Sequence, residues 1–163
     1  MQKIVDISYQ KEEYKKIISI KEIEEWSKEI IAQARLENVF FSIFFCDDKT
    51  MTELNKNYRD IDKTTDVLSF SQIEGEEIIW TNKKFIGDIV ISMPQAVRQS
   101  EEIGKPAQSE VKLLILHGFL HLLGYDHETS QLDQRIMREK EESVLEKLGI
   151  SRDATFVVNG DNN

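Results

Sequence analysis

The chain is poor in cysteine, has no long apolar run and carries no net positive charge, and each lack excludes something. Its one cysteine, Cys46, rules out an internal disulfide. The opening stretch MQKIVDISYQKEEYKK has no secretory apolar core, and no apolar run approaches the length needed to cross a membrane. These absences lead to the expectation of a cytoplasmic protein. Lysine and arginine number 21 against 30 aspartates and glutamates, a formal charge of −9. Indiscriminate binding to nucleic acid rests on cations neutralising phosphates, so this balance argues against it while leaving room for a local basic groove. There is no internal repeat or low-complexity tract. At 163 residues the chain suits one domain with a full core and no need of staples, expected over residues 1–158, with 159–163 a frayed tail.

Histidine is scarce too, and its distribution is informative. All three histidines fall within residues 117–127, HGFLHLLGYDH. His117 and His121 are four apart, which in a helix puts them one turn apart on one face. Gly124 is suited to end that helix, because glycine tolerates the left-handed backbone that helix ends often need. The chain then turns through Tyr125 and Asp126 and returns His127 to the same point. Three neutral imidazoles converging there form a zinc-type site with an open fourth position. One histidine alone would be read as a core or surface residue; three at this spacing are hard to read that way.

Periodicity supplies a frame for the motif. Residues 3–9 read as a strand, and 20–36 as a helix with Ile20, Ile23, Trp26, Ile30 and Ala34 as its apolar stripe. Val39 to Cys46 is a near-continuous apolar run, expected to be a strand buried on both faces and parallel to the first through a right-handed crossover. Cys46 is expected to be a small buried hydrophobe. Thr50 and Glu53 have capping-box spacing for a short helix whose apolar face is Met51, Leu54 and Tyr58, with Arg59 at its end. Asp66 to Phe70 reads as a third strand. The segments 77–80 (EIIW) and 85–92 (FIGDIVIS) are candidates for a hairpin. Ser92, Pro94 and Gln95 start a helix that ends at Gly104. The motif helix begins near Gln108 or Ser109 and is apolar all round, as a buried helix is. A last helix starts at Ser130 with Asp133 and ends at Gly149. Its core stripe is Leu132, Ile136, Met137, Val144, Leu145 and Leu148, and its charges form a solvated face.

The H-x3-H-x5-H frame matches that of metzincin metallopeptidases, in which a glutamate follows the first histidine as general base. Here that position is Gly118. The metal frame is kept and the peptidase base is absent, so a hydrolase of another kind is expected, with a proton-transfer partner from Asp126, Glu128 or another segment. Phosphodiester cleavage asks mainly for positioning and for positive charge at the phosphate oxygens. That directs attention to Arg59 in the stretch 54–66, LNKNYRDIDKTTD, where a guanidinium can hold a phosphate with two hydrogen bonds. Pairing of Arg59 with Asp60, Asp62 or Asp66 is the competing reading.

The segment HGFLHLLGYDH resembles the signature of the YbeY family of bacterial single-strand-specific metallo-endoribonucleases. LNKNYRDIDKTTDVLSF resembles that family's second signature and FIGDIVIS its third, in the family's order. The second departs in places: Asp60 stands where a small residue is usual, and Thr64 and Ser71 where prolines are common. These changes touch loop stiffness and local charge more than ligand identity. The resemblance implies one zinc per chain held by His117, His121 and His127, with Arg59 and His117 as catalytic residues. Lys56 and Lys63 are expected to assist Arg59 in gripping substrate, and Tyr58, Phe70 or Tyr125 could stack a base, although core packing is the commoner role of such residues. The resemblance implies an α+β fold: a small mixed sheet of about four strands with about five helices, the metal helix buried against it. It further implies single-stranded RNA as substrate, a role in maturing the 3′ end of 16S ribosomal RNA and in quality control of 70S ribosomes, and small-subunit assembly components as partners. Neither DNA nor membrane is expected as a partner. Two other readings stay open: a metallopeptidase-like hydrolase, and a non-catalytic ribosome-assembly module whose zinc is closed by a fourth protein ligand, more plausibly Asp126 than Cys46.

Overall fold

The computed structural model describes residues 3–73, 83–124 and 131–148. The fold is α+β. Strand β1 (Val5–Tyr9) leads through a short 3-10 turn (Glu12–Lys16) to helix α1 (Ile20–Gln33), then to strand β2 (Val39–Cys46) and helix α2 (Asp48–Arg59). Strands β3 (Val67–Ser71) and β4 (Lys84–Ser92) follow, then helices α3 (Met93–Ile103), α4 (Ala107–Leu122) and α5 (Gln131–Leu148). The sheet order is β1-β2-β4-β3. β1, β2 and β4 run parallel and β3 pairs antiparallel along β4, so β1 and β3 are the edges. The parallel pairing of the first two strands is as the sequence indicates; the segment 77–80 lies outside the described residues.

The two faces of the sheet are unequal. One carries the main core, where Val5, Phe41, Ile43, Phe45, Ile89 and Ile91 meet α1 and α4. Trp26 of α1 is buried there, as its place on the stripe indicates, and its Nε1–H donates to the Lys112 carbonyl of α4 at 2.8 Å. The other face carries a small cluster of Cys46, Leu68 and Val90 under Met51 of α2, with Phe44, Leu54 and Phe70 packed around it. Burial on both faces of β2 is therefore corrected. Val39, Phe41, Ile43 and Phe45 are buried, but Phe40, Ser42 and Phe44 are only half-buried, because α2 covers part of the second face. No described helix is long and apolar enough to cross a membrane.

Helix ends follow local chemistry, with some shifts from the sequence reading. Ser19 forms a capping box with Glu22 at the start of α1. At α2 the cap is Asp47, whose carboxylate accepts from the Thr50 N–H at 2.9 Å; Thr50 lies inside the helix. The carboxylate beats the hydroxyl because it is the stronger acceptor for the first-turn amides. α3 starts with Ser92 as cap and ends at Gly104 in the left-handed conformation, both as expected. α4 begins after Pro106, a residue earlier than the sequence suggests. On α5 the stripe is shorter than its periodicity implies. Val144 and Leu145 are buried, whereas Leu132 and Ile136 are 56% and 42% exposed, so among the described side chains it is the later ones that dock. Ser130 and Gly149 lie outside the described residues, as do the side chains of Met137 and Leu148.

Candidate metal centre

Helix α4 carries the first two histidines and is walled by core. Val111, Leu113 to Leu116, Phe119, Leu120 and Leu122 are all buried. It lies close against the sheet because residue 118 has no side chain: a Cβ there would come within 2.8 Å of Ile89 Cγ2. The edge strand holds the same turns from the side. Ser69 Oγ donates to the Gly118 carbonyl at 3.1 Å, and Ser71 Oγ to the Leu122 carbonyl at 2.9 Å. Gly124, with φ of +99°, follows the helix, and its N–H donates to the His121 carbonyl at 3.0 Å.

His117 and His121 are brought together. Their Nε2 atoms are 3.2 Å apart, and the rings meet edge to face at 66°. Two nitrogens bound to one tetrahedral ion at about 2.0–2.1 Å would stand about 3.3–3.4 Å apart, so the donor pair fits zinc. The other nitrogen of His117 is taken: Nδ1–H donates to Glu141 Oε2 of α5 at 2.9 Å, with both side chains buried. Sequence reading missed Glu141 and assigned it to a solvated face. Its position four residues before Leu145 and three before Val144, on the docked side of α5, was the available signal. His127, Tyr125, Asp126 and Glu128 lie outside the described residues, and among the described residues no three ligand-type side chains cluster. Cys46 is a poor candidate for a closing ligand. It sits under α2 on the other face of the sheet, and burial pushes its thiol up to about 12, away from the thiolate that binds metal.

Lys56 and Arg59 lie on α2, and Lys63 in the segment between α2 and β3. Tyr58 packs edge to face on Phe70 at 5.1 Å, and Phe70 points away from the face on which Ser69 and Ser71 hold α4. Helix α2, which ends in Arg59, and helix α4, which carries the imidazoles, thus lie on opposite faces of the sheet. Tyr58 is 67% exposed, which corrects its assignment to core packing. Lys56 Nζ is 3.9 Å from Asp62, an exposed pair of small energetic value. Asp66 is buried, and its Oδ1 accepts from the Val67 N–H at 2.7 Å, so it serves the start of β3.

The departures from the second signature have local explanations. Thr64 and Ser71, in place of prolines, each make a hydrogen bond that proline could not: Thr64 Oγ1 to Asp48 at 3.1 Å, and Ser71 Oγ to Leu122. Asp48 is a hub. It also accepts from Ser92 and, through both oxygens, from Arg98, whose guanidinium holds the carboxyl below its ordinary range. Asp60 ends α2 in the left-handed conformation, φ +60°, with its N–H on the Lys56 carbonyl and the Ile61 N–H on that of Asn55. A small residue is favoured there because a Cβ is penalised, and an anion at a helix C-terminus opposes the macrodipole. Asp60→Gly should therefore stabilise the protein by about 1 kcal/mol, raising the thermal midpoint by roughly 2–4 °C in a melt followed by circular dichroism.

The fold and the paired imidazoles define an α+β domain with two histidines meeting on a buried helix. Comparison with known proteins agrees. The description Endoribonuclease YbeY attaches to a family profile that matches residues 6–149. A relative of that name from Sulfurihydrogenibium sp. (strain YO3AOP1) is 43% identical over 138 residues, covering 85% of this chain and 89% of its own. Another, from Aquifex aeolicus (strain VF5), is 47% identical over 126 residues, covering 77% and 81%. The solution structure of TM1509 from Thermotoga maritima superposes with a TM-score of 0.55 at 21% identity, over 89% of this chain and 91% of that one, a likeness of fold. The chain belongs to the Endoribonuclease YbeY family.

Proposed function

We propose that the protein is a zinc-dependent, single-strand-specific endoribonuclease of the cytoplasm, acting in 3′-end maturation of 16S ribosomal RNA and in quality control of 70S ribosomes. The observation that carries the metal part is the 3.2 Å approach of the His117 and His121 Nε2 atoms on a buried helix, with no carboxylate beside them at residue 118. His127 is the third proposed ligand. When bound, zinc supplies a Lewis acid that polarises a phosphate oxygen and acidifies water. The rest of the reaction falls to the chain's own groups. Arg59 binds the phosphate and stabilises charge developing on its oxygens, with Lys56 and Lys63 raising the local positive potential. The exposed ring of Tyr58, held from behind by Phe70, offers a stacking surface to a base. A substrate reaching both Arg59 and His117 must bend around the edge of β3, which favours a flexible single strand over a stiff duplex. The peptidase reading is disfavoured by the packing at residue 118, where a side chain would be aimed at Ile89.

The test is metal analysis of the purified protein, then cleavage of a single-stranded RNA with and without chelator. Arg59→Glu should keep zinc content and melting temperature while lowering cleavage by roughly 10²–10³-fold or more. Undiminished cleavage by Arg59→Glu would remove Arg59 from the site; chelator-insensitive cleavage would remove the metal.

A further inference from the structure

We infer that Glu141 is the outer-shell carboxylate of the metal centre, and that through it metal occupancy and the docking of α5 are one coupled equilibrium. This rests on the metal reading above and goes beyond it. The Glu141 side chain is 1% exposed and that of His117 3% exposed. A carboxylate this deep is costly unless a strong donor meets it, and the His117 Nδ1–H at 2.9 Å does so. That contact also selects the tautomer. With the proton on Nδ1, the lone pair of His117 lies on Nε2, the atom that faces His121 Nε2. A hydrogen-bonded carboxylate behind a ligating imidazole fixes the ring's orientation.

The place of Glu141 in the fold gives it a second role. The residues by which the described part of α5 is buried are Glu141, Val144 and Leu145, which share one helical face. Glu141 is the polar one of the three, and it reaches the histidine of α4 from a helix 24 residues further along the chain. The third proposed ligand, His127, lies in the connection between α4 and α5. Through Glu141, α5 reaches the first proposed ligand on α4, so the metal site and the docked face of α5 share one buried contact. Coupling of this kind is reciprocal: whatever tightens the metal site tightens α5, and loosening α5 weakens the site.

The experiment is zinc titration against a chromophoric chelator for the wild type, Glu141→Gln and Glu141→Ala, with hydrogen exchange of α5 measured with and without zinc. Glu141→Ala should bind zinc about 10–100-fold more weakly, and Glu141→Gln, which keeps an acceptor but loses the charge, should fall between it and wild type. Zinc should slow exchange across residues 141–148 in the wild type and much less in Glu141→Ala. Should the alanine variant fail to fold, the glutamine variant decides. Wild-type zinc affinity in a folded Glu141→Gln or Glu141→Ala protein, or exchange in α5 indifferent to zinc, overturns the inference while leaving the metal centre standing. A wild-type protein that binds no zinc overturns both.

Discussion

Gly87→Ala is expected to cost about 3–5 kcal/mol and to lower the melting temperature by roughly 10 °C or more. Gly87 lies in a bulge, where Phe40 pairs with Phe85 but Ser42 pairs with Asp88, so two residues of β4 oppose the single Phe41. Its φ of +145° is strained for any side chain. An added Cβ would lie 2.3 Å from the Phe70 carbonyl oxygen and 2.7 Å from Leu122 Cδ2. The first contact is backbone and cannot rotate away. The second is with the last residue of α4, one turn beyond Gly118 and next to His121. Leu122 Cδ2 can turn aside, but relief of the first contact requires β3 to shift from β4, and β3 is the strand whose Ser69 and Ser71 hold the turns of α4 that carry the imidazoles. Chemical denaturation gives the energy and zinc titration gives the displacement. A melting temperature within about 2 °C of wild type would show that the bulge yields cheaply.

Gly118→Glu restores the residue that peptidases of this ligand spacing carry, and it is expected to yield no peptidase. The Cβ would come within 2.8 Å of Ile89 Cγ2 and 3.2 Å of its Cδ1, in a fully buried layer between helix and sheet. A carboxylate driven into that layer without a donor costs several kcal/mol, so the expected product is a misfolded or strongly destabilised chain. Gly118→Ala is the measurable proxy. Overpacking should outweigh the gain of about 1 kcal/mol in helix propensity, for a net loss of roughly 1–2 kcal/mol. Casein turnover by a folded Gly118→Glu protein would overturn this and revive the peptidase reading.

Parts of this molecule were legible because their signals are local. The run from Val39 to Cys46 gave β2 with both ends correct, and Ser92 and Gly104 gave the ends of α3. The apolar circumference of α4 gave a buried helix, and four-residue spacing gave the meeting of His117 and His121. What escaped depends on partners far away in the chain. Glu141 stands among other charges of α5, and a histidine on another helix makes its burial tolerable. Leu132 and Ile136 keep helical spacing, yet among the described residues neither is buried. Tyr58 completes an apolar stripe on α2 but overhangs the edge of the small cluster beneath. Gly118 was read as a missing base; its packing on Ile89 gives the glycine a steric reason that the motif alone cannot express.

One further consequence attaches to β4. Asp88, Val90 and Ser92 face the side of α2, meeting Ser42, the small cluster and Asp48, whereas Ile89 and Ile91 face the core under α4. One strand therefore sets the depth of both helices by the parity of its residues. Inserting or deleting one residue within 88–92 would exchange the two sets, turning Asp88 and Ser92 toward the core and Ile89 and Ile91 toward α2. A substitution within 88–92 alters the contacts of one residue, whereas a change in length there alters the facing of several at once. Evolution can vary the chemistry of this segment far more readily than its count.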